Sequence, residues 1–199
     1  NSEAIKAAHE IFTNNHQRLE KLSADIRPLV LRNEVKHYGS KDLFNEFLEN
    51  YRETTDASYK GDLNSAITST PDNSLITELI SEFENADTIK PQDLRGWYRN
   101  VLANNAGQQA AWDWIRNDWD WLEKTVGGDM EFATYITVTA NVFHTPTRLT
   151  EFKQFFEPKI DTPGLTREIT MDISVIESKV KLIQAEKDAV IQALQSVNR

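Results

Sequence analysis

Residues 91–122 read PQDLRGWYRNVLANNAGQQAAWDWIRNDWDWL, and this stretch decides the fold class. Its apolar residues recur at spacings of three and four, the period of a helix with one buried face. Pro91 is tolerated in the first turn of a helix, so one helix is expected to begin there. The stretch Asn104–Gly107, whose residues tolerate a left-handed backbone, predicts its end. A second helix is expected to run from Ala111 to Leu122 and to carry on one face Ala111, Trp112, Ile115, Trp119 and Leu122.

The same helical spacing continues along the rest of the chain. Ser40 and Thr145 are expected to be N-caps, the latter followed by Pro146 in the first helical turn. No segment alternates with period two, and no Asn-Gly or Asp-Gly hairpin turn occurs. The sequence therefore predicts about ten or eleven helices joined by short loops. The expected architecture is all-α, a single domain over 1–199 built as a superhelical stack of antiparallel pairs, like HEAT or armadillo repeats.

Composition limits the classes of function. The chain has 31 acidic and 22 basic residues, a formal charge of -9, which argues against binding a nucleic-acid backbone. It contains no cysteine, so neither disulfides nor thiolate chemistry are expected. No apolar run approaches the roughly 20 residues that span a bilayer, and the N-terminus has no signal-peptide pattern. A soluble, cytoplasmic protein that does not contact membranes is expected.

Two segments come close to zinc-peptidase motifs. His9-Glu10 begins like H-E-x-x-H, but Thr13 stands where the second histidine is required, and His16 lies too far along the helix to share one ion. Residues 128–131 resemble the start of a G-x-M-E-N motif, but Phe132 replaces its asparagine. We therefore expect no catalytic residue, metal ligand or cofactor in this chain.

All five tryptophans lie between residues 97 and 121. Trp112 and Trp119 share a helical stripe with Ile115, which is typical of a packed core. Trp114 and Trp121 lie on a different face, which could pack on a neighbouring helix pair or on another domain. The residues expected to anchor the packing are Trp112, Trp119, Gly107 and Phe155.

An ordered set of short segments points to a family. In chain order the segments are Pro91-Gln92-Asp93, Asn104-Asn105, Gly107, Ala111-Trp112, Asn117 with Trp119, Phe143 with Thr145, Arg148-Leu149 and Phe155-Phe156. This set resembles the C-terminal domain of aminopeptidase N-like zinc peptidases, which the endoplasmic-reticulum, insulin-regulated and bacterial aminopeptidases share. The resemblance covers most of the chain and is densest from 91 to 156. The missing cysteines and signal peptide favour a bacterial, cytoplasmic member.

The resemblance implies a larger parent enzyme. In that family a catalytic domain upstream of position 1 holds the zinc, and a bowl-shaped C-terminal domain closes over the active site. That domain shapes a chamber that admits peptides. By this resemblance, the chain's partners are the upstream catalytic domain of the same polypeptide and the peptide substrate. The chain alone is expected to be inactive, with zinc present only in the parent.

In this interpretation the contribution of the chain is steric and electrostatic. Contacts to a peptide's C-terminal carboxylate or carbonyls would need hydrogen-bond donors on the segments most like the family. The candidates are Arg148, Arg99, Lys153, Asn104 and Asn105. For Arg148 the alternative is that it only caps or salt-bridges its own helix.

Two other classes of function stay open. A stand-alone HEAT-like scaffold would bind partners through its concave face, although such scaffolds tend to carry clearer repeats and capping helices. A self-contained helical enzyme is disfavoured, since no set of nucleophile, base or metal ligands is assembled.

Overall fold

The computed structural model describes residues 1–129 and 131–197, with the side chain of Val197 left out. Within these ranges it contains eleven α-helices, two short 3-10 segments and no strand, so the predicted all-α fold class is confirmed. The helices are α1 (Ser2–Asn15), α2 (Arg27–Tyr38), α3 (Lys41–Glu53), α4 (Ala57–Ile67), α5 (Asn73–Ser81), α6 (Pro91–Ala103), α7 (Gln108–Asn117), α8 (Trp119–Val126), α9 (Thr134–Val142), α10 (Pro146–Phe156) and α11 (Thr166–Val197). The 3-10 segments are His16–Lys21 and Glu157–Lys159.

Side-chain caps determine where several helices begin. The hydroxyls of Ser40 and Thr145 each accept a hydrogen bond of 3.2 Å from the backbone N–H three residues later, as predicted. Asp56 and Asp72 cap α4 and α5, each accepting bonds from two backbone N–H groups, and sequence reading had missed both. Each cap satisfies an N–H that the first turn of a helix leaves without an internal partner.

The chain divides into two compact units, the first Asn1–Trp119 and the second beginning at Asp120. In the first unit, contacts join consecutive helices (α1 with α2, α3 with α4, α6 with α7) and next-but-one helices (α2 with α4, α4 with α6, α5 with α7). Each helix thus buries one face against its neighbours. The single domain and the superhelical, bowl-shaped stack stay predictions.

Aromatic residues fill the core of the first unit. Trp97 and Trp112 are both fully buried. The indole N–H of Trp97 donates a 3.1 Å hydrogen bond to the hydroxyl of Tyr51, and the two rings meet edge to face at 4.9 Å. Trp114 meets Phe83 edge to face at 5.0 Å, so its separate face packs on the segment that follows α5. Such contacts add specificity to the burial of these large rings.

The remaining expected anchors differ in burial. Trp119 is 5% exposed and Gly107 is buried. Phe155 is half-buried, whereas its neighbours Phe152 and Phe156 are fully buried in the second unit.

The prediction of one helix from Ala111 to Leu122 was wrong. The structure has two helices, α7 and α8, separated at Asp118, whose backbone (φ -111, ψ 20) leaves the helical region. The break follows Asn117-Asp118, two residues of low helix propensity whose side chains compete for backbone hydrogen bonds. The spacing of apolar residues does not reveal this break, because apolar residues return to the same face after it.

The reason for a glycine at 107 also differs from expectation. Its φ is -98, and among the described residues only Gly164 has a positive φ, so the turn after α6 uses no left-handed residue. A Cβ at position 107 would instead lie 2.7 Å from both the carbonyl oxygen and a methyl carbon of Val101, and 3.4 Å from Ile76. Gly107 is needed for space, because the chain passes directly over α6.

In the second unit α11 packs against α9 and α10. Asp172 on α11 is only 5% exposed and accepts a 2.8 Å hydrogen bond from the hydroxyl of Thr137. Burial raises the pKa of the Asp172 carboxyl, with the Thr137 hydrogen bond acting in the opposite direction. None of the helices in the described ranges, not even the 32-residue α11, has an apolar window sufficient to span a bilayer.

Substituting Gly107 should test the close approach over α6. Gly107→Ala is expected to destabilise the first unit by about 1–3 kcal/mol, because the backbone oxygen of Val101 cannot move aside. Gly61→Ala is the matched control, since nothing lies within 4 Å of its Cβ, and it should stabilise α4 by about 0.5–1 kcal/mol. Urea unfolding followed by tryptophan fluorescence reports mainly on this unit. Equal effects of the two substitutions would contradict the steric argument.

Neutralising Asp172 should remove one source of the pH dependence of stability. A carboxyl whose pKa is raised by folding costs stability when charged, and that cost is relieved as pH falls through the folded pKa. Asp172→Asn should therefore raise the midpoint of thermal unfolding at pH 7, and the gain should shrink as pH approaches the ordinary aspartate value. A gain that grows on acidification would contradict this assignment.

Candidate functional site

A polar groove of about 570 Å³ lies within the first unit. One wall is α2, which contributes Arg32 and Lys36. The end of α4 and the residues after it form the second wall, and the last turn of α6 together with the loop between α6 and α7 forms the third. These two walls contribute Ser65, Thr68, Ser69, Pro71, Asn100, Ala103, Asn104, Asn105 and Ala106.

Asn104 holds two of these walls together. Its side-chain N–H groups donate to the carbonyl oxygens of Thr68 at 2.9 Å and Thr70 at 2.7 Å. Its side-chain oxygen accepts the backbone N–H of Ala106 at 3.0 Å. Asn100 adds a 2.5 Å bond to the side chain of Asn64 on α4. The groove is therefore fixed by a hydrogen-bonded contact between α4 and the α6–α7 loop.

The groove is cationic in an otherwise acidic chain. Arg32 and Lys36 are one turn apart on α2, and both are exposed. Within the described ranges, neither forms an ion pair or a side-chain hydrogen bond, and no Asp or Glu is among the residues that line the groove. This arrangement can receive an anion through a guanidinium, an ammonium and neutral donors.

The structure brings together only part of the predicted peptide-contacting set. Asn104 and Asn105 line the groove, and Arg99 is exposed one residue before Asn100, whose side-chain oxygen it contacts at 3.4 Å. The other two candidates lie in the second unit, on α10.

Both candidates on α10 are engaged in ion pairs. Arg148 pairs with Glu151 of the same helix at 2.6 Å, and its guanidinium lies 5.2 Å from the ring centre of Phe143. Lys153 pairs with Glu177 of α11 at 2.6 Å. The contacts of Arg148 fit the alternative in which it stabilises its own helix.

Sequence reasoning missed Arg32 and Lys36. The signal available was two basic residues at i and i+4 with no acidic residue a turn away to pair with them on that face. Arg27 on the same helix looks similar in the sequence, yet it is 3% exposed and forms a 2.5 Å ion pair with Asp62. Only the tertiary structure separates the paired cation from the unpaired ones.

The histidines of the incomplete zinc motif have other partners. His9 is hydrogen-bonded to the buried carboxylate of Glu34 at 2.8 Å and stacks on Tyr38 at 3.9 Å. His16 is hydrogen-bonded to Glu46 at 2.8 Å. No group of three or more His, Asp or Glu side chains in the described part of the chain is arranged to hold a metal ion. These residues do not fit a zinc site, and no chemistry through zinc is assigned to them.

His144 and the segment that resembles G-x-M-E-N form hydrogen bonds with residues close to them in the chain. His144 Nδ1 is hydrogen-bonded to the carbonyl oxygen of Val142 at 2.8 Å, at the end of α9. In the segment that resembles G-x-M-E-N, Asp129 accepts the N–H of Glu131 at 2.9 Å, and Met130 lies outside the described residues.

Comparison with known proteins identifies relatives over nearly the whole chain. Residues 1–178 match the family model described as the ERAP1-like C-terminal domain. The chain is 64% identical to an aminopeptidase N of Lactobacillus helveticus, covering 98% of the chain and 23% of that relative. It is 50% identical to one from Lactobacillus delbrueckii subsp. lactis, covering 98% of the chain and 24% of the relative. Aminopeptidase N of Lactococcus lactis subsp. cremoris is 38% identical, covering 99% and 23%. The chain thus spans about a quarter of the length of these relatives.

Proposed function

The chain belongs to the ERAP1-like C-terminal domain family, and we propose that it is the non-catalytic C-terminal domain of a zinc aminopeptidase. The parent, a hydrolase, removes N-terminal residues from peptides. The zinc and the reacting groups lie in the upstream catalytic domain of the same polypeptide. The domain closes over that active site and shapes the chamber that the peptide enters.

One observation carries this proposal. The chain aligns over 98% of its length with aminopeptidase N of Lactobacillus helveticus but covers only 23% of that protein. A chain that matches only this part of a longer relative fits one domain of a larger polypeptide whose other parts perform the chemistry.

The far end of α11 supports attachment to a larger body. Up to Val180 this helix buries Ile169 and Ile176, but every residue from 181 to 196 is exposed. That segment, about 24 Å of helix at 1.5 Å per residue, carries five exposed large apolar side chains. They are Leu182, Ile183, Val190, Ile191 and Leu194, between 42% and 64% exposed. Exposed apolar side chains in this number on one segment are typical of an interaction surface, and the rest of the parent polypeptide is the occupant that we assign to it.

The contribution to catalysis is positional. A closed chamber excludes water and bulky substrates and holds the peptide in a productive orientation. Closure and opening of such a domain can also limit turnover. Its formal charge of -9 argues against a role in binding nucleic acid.

The alternative is a stand-alone HEAT-like interaction scaffold. In that case the apolar row of α11 would bind an unrelated partner. Removal of the domain from its parent distinguishes the two functions. Only the domain of an aminopeptidase should change peptide turnover when it is removed.

Removing residues 1–199 from the full-length polypeptide should test the proposed function. The remaining protein is expected to retain its zinc, because the proposal places the zinc ligands upstream of residue 1. Turnover of peptides of several residues should fall about tenfold or more, which corresponds to about 1.4 kcal/mol of transition-state stabilisation. Single-residue reporter substrates should be less affected, because they lack a tail to orient. Elemental analysis and kinetics with both substrates measure this. Unchanged peptide turnover would exclude the role.

Charged substitutions on α11 should test the attachment surface. In the full-length protein, Ile183→Asp with Leu194→Asp should loosen the domain, because two carboxylates would be buried at an apolar interface. Limited proteolysis between the domains should accelerate, and peptide turnover should fall. Gln184→Asp with Gln195→Asp is the matched control, as it adds the same charge at exposed polar positions of the same segment. If the two pairs of substitutions change proteolysis and peptide turnover equally, the apolar row is not part of the interface.

A further inference from the structure

We propose that the exposed half of α11 pairs with a helix from another part of the same polypeptide, as a short two-stranded coiled coil in which the partner helix places a carboxylate against Lys187. The pairing is inferred from the second unit alone. The choice of the same polypeptide as the source of the partner rests on the proposed function.

The first argument is the spacing of residues along α11. From Ile169 to Leu194, steps of four and three residues alternate without a break, which is the repeat of a helix that keeps one narrow face against a partner helix. The residues at these steps form a seam, which consists of Ile169, Ile173, Ile176, Val180, Ile183, Lys187, Val190 and Leu194. A helix that only covers a globular core usually has a broader apolar face. The repeat therefore predicts a helical partner.

The second argument is that only half of the seam is covered. In the first half, Ile169 and Ile176 are fully buried, and α9 and α10 pack against this part of α11. In the second half, Ile183, Val190 and Leu194 are 42%, 53% and 62% exposed, although they continue the same face. The exposed half therefore continues a helix–helix interface that is already formed.

The third argument is the charge within the seam. Lys187 is its one charged residue, and within the described ranges it forms no ion pair. The residues three and four positions away, which share its side of the helix, are not acidic; they are Ile183, Gln184, Val190 and Ile191. A single lysine in an apolar seam lowers stability but fixes the register of a coiled coil. A carboxylate on the facing helix would pair with the ammonium while the lysine stem packs against the seam.

The length of the exposed seam favours a partner within the same polypeptide over a second copy of the chain. Residues 181–196 form about 24 Å of helix at 1.5 Å per residue, and about half of them would face a partner. Stable interfaces between separate chains use roughly 20–30 residues on each side. A helix of the same polypeptide needs less contact, because linkage raises its effective concentration. The chain covers only 23% of the Lactobacillus helveticus relative, so most of that polypeptide lies outside the aligned residues.

Hydrogen exchange of the full-length protein tests the pairing and the carboxylate. Lys187→Leu should speed the exchange of the backbone amides of residues 183–196 about tenfold, the scale expected when a buried charged group loses its partner. Lys187→Arg keeps the charge and should retain the wild-type rate. Lys181→Leu is the matched control, since it makes the same change at an exposed lysine that faces about 120° away from Lys187.

The contrary outcomes of this experiment are distinct. Slower exchange in Lys187→Leu would show that an apolar residue fits the seam better than a cation, and it would overturn the carboxylate. Equal effects of Lys187→Leu and Lys181→Leu would overturn the pairing. Because residues 181–196 are all exposed, these substitutions leave the core of the second unit intact, which circular dichroism checks.

Photo-crosslinking of the full-length protein identifies the partner. A p-benzoylphenylalanine probe replaces Val190 in the seam or, as the control, Gln192, which faces about 160° away. The probe at position 190 should link to one segment outside residues 1–199 of the same molecule, with apolar residues at the same spacing and an acidic residue among them. The control probe should not link to that segment. A product of twice the mass, specific to position 190, would make a second copy the partner and overturn the choice of the same polypeptide. No product specific to position 190 would overturn the pairing.

The outcome separates from that of the proposed function. A crosslink from position 190, with no effect of domain deletion on turnover, would keep the helix pair and discard the aminopeptidase role. Turnover that depends on the domain, without a crosslink or any response of exchange to Lys187→Leu, would do the reverse.

Discussion

The close passage of the chain over α6 at Gly107 is the constraint on which the first unit depends. With no side chain at that position, the backbone approaches Val101 and Ile76 closely enough for α7 to fold back along α6. This reversal carries Trp112 into the core and brings Trp114 against Phe83. A bulkier residue would separate the two helices, and the core would lose contacts that dispersion and burial make favourable only at close range.

The same turn links the core to the groove. Asn104, the residue that ends α6, donates to two carbonyl groups that follow α4. Each of these bonds satisfies an acceptor that would otherwise lie unpaired beside buried Thr68 and Thr70. The α6–α7 loop is therefore tied to the end of α4 by hydrogen bonds as well as by the packing of α7 on α6.

The sequence predicted the helices and the fold class because apolar spacing and capping residues are local signals. Ser40, Thr145 and Pro91 begin helices where local chemistry requires it. The partners of charged groups were not predictable, because they depend on residues distant in the chain. The partner of His9 is Glu34, 25 positions later in the chain, and the partner of Arg27 is Asp62, 35 positions away. Arg32 lies in the same helix and has no such partner, a difference that no local pattern contains.

In the described part of the chain, the exposed apolar side chains of α11 and the unpaired cations of the groove are chemically distinct surfaces. The α11 row from Leu182 to Leu194 is apolar and belongs to the second unit, whereas the groove of Arg32 and Lys36 is cationic and belongs to the first. Burial of apolar surface is insensitive to moderate salt and is strengthened by excluded salts such as sulfate, while attraction between a partly exposed cation and a carboxylate is screened within a Debye length of about 8 Å at physiological ionic strength. An apolar contact made by the α11 row and a charged contact made by the groove would therefore respond in opposite directions to the same change in solvent.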